Sequence, residues 1–99
     1  MSEFGTPYSI LSSGRKVTKE ELIRAIRFFV AAEYEAIQLY TEIAESTDEL
    51  LAKKVLSDIA DEEKVHAGEF LRLLKELDKE EEKFYKEGEK EVEEMIKEL

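Results

Sequence analysis

The chain has 99 residues, of which 42% are hydrophobic and 40% charged, and 25 acidic against 15 basic side chains give a net charge of -10. This charge argues against a nucleic-acid partner, which needs a basic surface, and would concentrate cations around the protein. There is no cysteine and no apolar run longer than Phe28 to Ala32, so we expect one cytoplasmic domain without disulfides, thiolate metal sites or a membrane-spanning helix.

The first predicted element is a long helix. Residues 1–17 contain glycine, proline and several hydroxyl side chains without a helical period, so we interpret them as a flexible leader. Thr18-Lys19-Glu20-Glu21 follows as a capping box, a pattern that satisfies the free N–H groups at the start of a helix. The composition favours an all-α protein, and the first helix is predicted over 18–45.

A second long helix is predicted over 48–77. Ser46-Thr47-Asp48-Glu49 has the pattern of another capping box and leaves only a tight connection, so the two helices should pack as an antiparallel hairpin. A short third helix is predicted over 79–87, with Gly88 as its end. Residues 89–99 carry apolar side chains at helical spacing and are predicted to form an amphipathic helical tail that needs a partner surface.

Two ligand-type residues interrupt the apolar seam of the second helix. Glu63 and His66 occupy positions where steps of four and three residues would place leucine. Glu62 lies four residues before His66 and would also face it, but a seam through Glu62 would next meet Glu69, which favours Glu63. A buried carboxylate without a partner costs several kcal/mol or is forced to take up a proton, so we expect something to compensate Glu63. Carboxylate and imidazole ligands suit iron, manganese or zinc.

The first helix contributes a third residue of this kind, Glu33. With the turn near Thr47, residues face each other when their numbers sum to about 94 to 96, which places Glu33 opposite residues 61–63. Tyr40 lies two turns from Glu33 on the same face, where it would either hydrogen-bond a ligand carboxylate or pack in the core.

The three residues amount to half of a known type of metal site. A di-metal carboxylate centre in a four-helix bundle takes one Glu from each of two helices and a Glu-x-x-His from each of the other two. Glu33 is the single Glu, and Glu63 and His66 form the Glu-x-x-His, so a two-fold dimer would complete the set. The first helix is apolar on more than one face, as such a dimer requires.

The pattern Glu33-x6-Tyr40 followed by Asp61-Glu62-Glu63-x2-His66 resembles the ferritin-like superfamily, and the two-helix brevity is similar to that of the encapsulated ferritins. The resemblance covers residues 18–80. It implies a two-helix hairpin with a short C-terminal helix that becomes a ferritin-like four-helix bundle by dimerisation. It also implies a di-iron ferroxidase, a decameric ring of dimers, and residence inside an encapsulin nanocompartment that stores the oxidised iron.

Carried over to this chain, the resemblance makes Glu33 and His66 terminal iron ligands and Glu63 the bridging ligand, with Tyr40 close by. Calcium, zinc and manganese are alternatives to iron at these or at accessory sites.

Accessory metal sites are also implied by the resemblance. Glu35 falls at one such position and Glu62 is a further candidate, whereas Ala32 stands where some members have Glu. No encapsulin-targeting tail is evident, and some archaeal relatives fuse this domain to the shell protein.

Two other readings of the same residues remain open. One is a rubrerythrin-like di-metal peroxidase or oxidase, although rubredoxin-type cysteine pairs are absent. The other is a metal-free helical interaction module, in which Glu33, Glu63 and His66 form a buried polar network that fixes the register of a dimer.

Overall fold

The computed structural model describes residues 14–99, and within them it contains three helices and no strand. Helix α1 spans Lys19–Ser46, α2 spans Leu50–Leu77 and α3 spans Lys79–Lys97. The predicted all-α fold is confirmed. The predicted leader lies, up to residue 13, outside the described residues. No helix in the described part of the chain is long and apolar enough to cross a membrane.

The capping box at the start of α1 forms as predicted. The Glu21 N–H donates to Thr18 Oγ1 at 3.2 Å, and the Thr18 N–H donates to Glu21 Oε1 at 2.8 Å. Arg15 also donates to both oxygens of Glu21, at 2.9 and 2.8 Å. The bonds from Arg15 and then from the Thr18 N–H lower the pKa of Glu21 to about 2, so the cap is charged at neutral pH.

The connection between α1 and α2 differs from the predicted second capping box. Helix α1 continues through Ser46, so Thr47 is its C-cap and Glu49, not Ser46, is the N-cap of α2. Glu49 Oε1 accepts from the Leu51 N–H at 3.2 Å. Helix α2 therefore begins at Leu50 instead of residue 48. The last turn of α1 holds no basic residue, and Lys53 of α2 donates instead to the Ala44 carbonyl at 2.9 Å.

The hairpin core between α1 and α2 is narrow. Its buried side chains are mostly alanine, valine, isoleucine and leucine, and only Ile26 and Leu74 combine large volume with full burial. Ala60 and Ala67 give α2 a small-residue face that lets α1 approach closely. Two helices can bury only one stripe each, so large apolar side chains elsewhere on both helices remain exposed.

Helix α3 runs without interruption through Gly88, so the break predicted there does not occur. Glycine inside a helix costs ~1 kcal/mol relative to alanine, which the neighbouring glutamates and lysines, good helix formers, can offset. The Glu81 N–H donates to Asp78 Oδ1 at 3.0 Å and caps the helix start. No residue of α3 is buried, and its apolar stripe, which includes Val92, Met95 and Ile96, is exposed.

Candidate metal centre

The hairpin brings Glu33, Glu63 and His66 together at one level. Glu63 and His66 are one turn apart on α2, and α1 presents Glu33 across from them. His66 Nδ1 lies 3.7 Å from Glu33 Oε2 and 3.6 Å from Glu63 Oε2. One ligand atom from each residue lies within 4.8 Å of the other two. The register computed from the turn thus holds, with Glu33 beside Glu63.

The two carboxylates are largely withdrawn from water. The side chains of Glu33 and Glu63 are 16% and 20% exposed, against 48% for His66. Glu33 Oε2 is fully buried and has no hydrogen-bond partner. His66 Nδ1 is too distant from either carboxylate to provide a hydrogen bond. A buried carboxylate oxygen without a donor is costly, and a bound cation would remove that cost. The donor set of two carboxylates and one imidazole fits iron, manganese or zinc.

An open groove of about 390 Å³ leads from solvent to this group. Its lining residues are Glu33, His66, Glu69, Phe70 and Leu73. Phe70 packs against Phe29 of α1 with 5.3 Å between ring centroids, so one wall of the groove is apolar. Glu69 was not among the site residues predicted from the sequence. Its spacing, three residues after His66, was the available signal.

The remaining predicted residues lie outside the group of three. Glu62 is exposed on α2, and its neighbour Asp61 pairs with Lys64 at 3.3 Å on the outer surface. Tyr40 and Glu35 are half-buried on α1, and Glu35 does not belong to the cluster of ligand-type side chains. Their predicted roles as a site neighbour and an accessory ligand stay predictions.

A helical hairpin with one Glu on the first helix and a Glu-x-x-His on the second, at the same level, has the ligand pattern of half a ferritin-like di-metal bundle. Residues 16–99 match the family model described as Rubrerythrin, and the chain belongs to the rubrerythrin family. Members of this ferritin-like family are generally iron-handling oxidoreductases. The predicted resemblance to ferritin-like proteins is confirmed.

Two curated relatives and one solved structure are similar to this chain. A "Ferritin-like-encapsulin shell fusion protein" of Pyrococcus furiosus is 39% identical over 87 residues, which is 88% of this chain and 25% of the relative. The "Encapsulin nanocompartment cargo protein EncC" of Myxococcus xanthus is 44% identical over 66 residues, 67% of this chain and 51% of the relative. The chain thus spans a quarter to a half of their lengths.

The solved structure is the encapsulated ferritin domain from Pyrococcus furiosus. It is 42% identical in sequence and superposes with a TM-score of 0.78, covering 81% of this chain and 82% of that one. The similarity therefore extends over about four fifths of each chain, and the ferritin-like helical fold is common to both proteins.

Proposed function

We propose that the chain is a ferroxidase that oxidises Fe(II) to Fe(III) with dioxygen at a di-iron carboxylate site shared by two subunits. The observation that carries the proposal is the group of Glu33, Glu63 and His66, in which a buried oxygen of Glu33 has no hydrogen-bond donor. An anionic pocket with an uncompensated buried oxygen, in a family of iron-handling proteins, favours iron as the cation that it would bind.

A second copy of the chain supplies the other half of the site in this proposal. Three ligands cannot satisfy two metal ions, whereas a two-fold pair offers four carboxylates and two imidazoles. Four carboxylates also balance the charge of two divalent cations. Phe29, which packs against Phe70 beside the group and is 37% exposed, would be buried by such a partner.

Each residue then has a distinct task. Bound iron would supply the redox chemistry: two Fe(II) ions would lose one electron each, and dioxygen with two protons would be reduced to hydrogen peroxide. Glu33 and Glu63 are hard anionic ligands, which stabilise the higher charge of Fe(III) relative to Fe(II). His66 presents Nδ1 toward both carboxylates and is half exposed, so it lies between the buried oxygens and the solvent. The apolar wall formed by Phe29 and Phe70 limits water beside the carboxylates.

A rubrerythrin-like peroxidase is a second candidate, and the family match over residues 16–99 favours it. It would use the same three ligands with hydrogen peroxide as the oxidant. The chain has no cysteine and so cannot supply a rubredoxin-type iron centre of its own. Comparing Fe(II) oxidation by peroxide and by dioxygen decides between the two, because a ferroxidase turns over with dioxygen alone.

We further propose that the chain forms a decameric ring and acts as cargo of an encapsulin nanocompartment in the cytoplasm, where iron storage takes place. The two curated relatives, one named as a shell fusion and one as a cargo protein, support this. Co-expression with an encapsulin shell, followed by sedimentation of the particles, tests it. The chain should sediment with the shell, and its absence from the particle fraction would contradict the proposal.

The test of the activity is aerobic Fe(II) oxidation, followed by ferric absorbance and oxygen uptake. The parent chain should oxidise iron rapidly, and Glu63→Gln should fall to the protein-free rate. Glu42→Gln is the matched control, because it removes the same charge from an exposed position on α1. If the parent and Glu63→Gln both match the protein-free rate, a metal-free polar network becomes the better account. Loss in Glu62→Gln instead would assign the ligand to Glu62.

A further inference from the structure

We propose that Glu69 is the ion-access carboxylate of the metal centre: it captures Fe(II) from solvent at the mouth of the groove and delivers it to Glu33, Glu63 and His66. This inference rests on the proposed function. It adds a residue that acts on the path of the ion and is not a permanent ligand.

Glu69 lies at the lip where two surface grooves meet. It lines the groove of about 390 Å³ that contains Glu33 and His66. It also lines a wider groove of about 680 Å³ on the outer face of α2, together with Val65 and Gly68. The two grooves share Glu69 and Leu73, so an ion that moves from the outer groove into the groove of the site passes this carboxylate.

The carboxylate of Glu69 has no counter-ion among the described residues. The two basic side chains nearest to it in sequence are engaged elsewhere: Arg72 bonds to Glu76 at 3.1 Å, and Lys64 bonds to Asp61 at 3.3 Å. An unpaired anion beside an apolar wall attracts cations more strongly than a paired surface carboxylate, because the low-dielectric wall focuses its field. The pairing on α2 therefore leaves this one carboxylate of the lip available to a metal ion.

The approach to Glu69 is open, and the transfer distance is short. A Cβ added at Gly68 would meet no atom within 4 Å, so the surface beside Glu69 is not covered by another side chain. Residues three apart on a helix have Cβ atoms about 5–6 Å apart, so a flexible glutamate side chain at 69 can reach toward His66. A captured ion then moves inward without leaving the groove.

The test measures metal arrival apart from oxidation chemistry. Co²⁺ binding to the full-length chain is followed without oxygen by stopped-flow quenching of tyrosine fluorescence, at low and high salt. The variants are Glu69→Gln, Glu69→Asp, Glu63→Gln and the charge-matched control Glu42→Gln. Glu42 is exposed and lies about two and a half turns from Glu33, on the opposite side of α1. Sedimentation velocity reports the assembly state of each.

We expect Glu69→Gln to slow the association rate about 3-fold to 10-fold at low salt, with the final stoichiometry and affinity close to those of the parent. The difference should shrink at high salt, Glu69→Asp should restore most of the rate, and Glu42→Gln should match the parent. In Fe(II) oxidation, Glu69→Gln should raise KM and leave kcat unchanged.

Other outcomes separate the failure of this inference from failure of the proposed function. An unchanged association rate in Glu69→Gln, with binding lost in Glu63→Gln, overturns the role of Glu69 and keeps the metal centre. If Glu69→Gln binds fewer metal ions per chain than the parent, Glu69 is a ligand and the access role is overturned. A changed assembly state in both Glu69 variants also overturns the access role. If Glu63→Gln binds Co²⁺ as well as the parent does, the proposed function itself is contradicted.

Discussion

Arg27 of α1 donates from Nε to Oε1 of Glu81 on α3 at 3.0 Å, so an ion pair joins the first and third helices of the hairpin unit. Its Nη2 also lies 3.6 Å from Oδ2 of Asp78, the residue that caps α3. The Glu81 side chain is 13% exposed and that of Arg27 is 48% exposed. The pair therefore fixes the direction in which α3 leaves α2 more than it adds to global stability.

Replacing Arg27 should loosen this junction in a pH-dependent way. The hydrogen bond from Arg27 is the main reason that the pKa of Glu81 lies below its ordinary value of 4.5. A lowered pKa means that the pair stabilises the fold above that ordinary value and that this stabilisation is lost as the pH falls below it. Because Arg27 is half exposed, Arg27→Met should cost less than about 1 kcal/mol at pH 7.

Urea unfolding followed by circular dichroism at about pH 7 and about pH 3 measures this effect. Arg24→Met is the control, since Arg24 is exposed on the same helix. A gap between Arg27→Met and the parent that persists unchanged at the lower pH would contradict the assignment.

Removing the cap of α1 should destabilise the hairpin. Thr18 Oγ1 accepts the Glu21 N–H, and this bond is lost in Thr18→Ala at an expected cost of ~1 kcal/mol. Ser57→Ala, an exposed change on α2, should stay within about 0.5 kcal/mol of the parent. Thermal unfolding at pH 7 compares the two. Equal midpoints for both variants would mean that the capping box contributes nothing to the folded state.

Gly88→Ala should stabilise α3. The helix passes through this position, and an added Cβ would meet no atom within 4 Å, so the change gains helix propensity without a clash. The expected gain is up to ~1 kcal/mol in the local opening free energy of α3. Hydrogen exchange of the α3 amides measures it. Faster exchange in the variant would show that the predicted break at Gly88 exists in solution.

Glu33 should lower the stability of the metal-free protein while being required for metal binding. Its Oε2 is buried without a hydrogen-bond donor, so an apolar replacement of similar length removes an uncompensated group. Glu33→Met should therefore raise the unfolding free energy of the protein in chelator by ~1 to 3 kcal/mol. Glu42→Met, on the exposed side of α1, should change it by less than about 0.5 kcal/mol.

Added metal should reverse this order. Mn²⁺ or Zn²⁺ at 100 times its dissociation constant would stabilise the parent by about 2.7 kcal/mol and leave Glu33→Met unaffected. A variant that still gains stability with metal would show that Glu33 is not a ligand.

The sequence was sufficient for the parts of this protein that follow from helical spacing. The interruption of two apolar seams identified Glu33, Glu63 and His66, and the turn near Thr47 gave their register. Two predicted helix boundaries were wrong. Ser46 was predicted to cap α2 but continues α1. Gly88 was predicted to end a helix, but the helix-forming residues on both sides of it offset the cost of glycine, and α3 continues. The pairing of Arg27 with Glu81 depends on how α3 turns back toward α1, which spacing within one helix cannot reveal.

The narrow hairpin core would limit where the proposed iron oxidation takes place. Among residues 14–99 only Ile26 and Leu74 are large, fully buried side chains, so little holds the helices of a single subunit together. On the proposed assembly, folding, pairing and completion of the ligand set become one concentration-dependent event. Newly made, isolated chains would then leave ferrous iron untouched, and oxidation would begin only where subunits have accumulated.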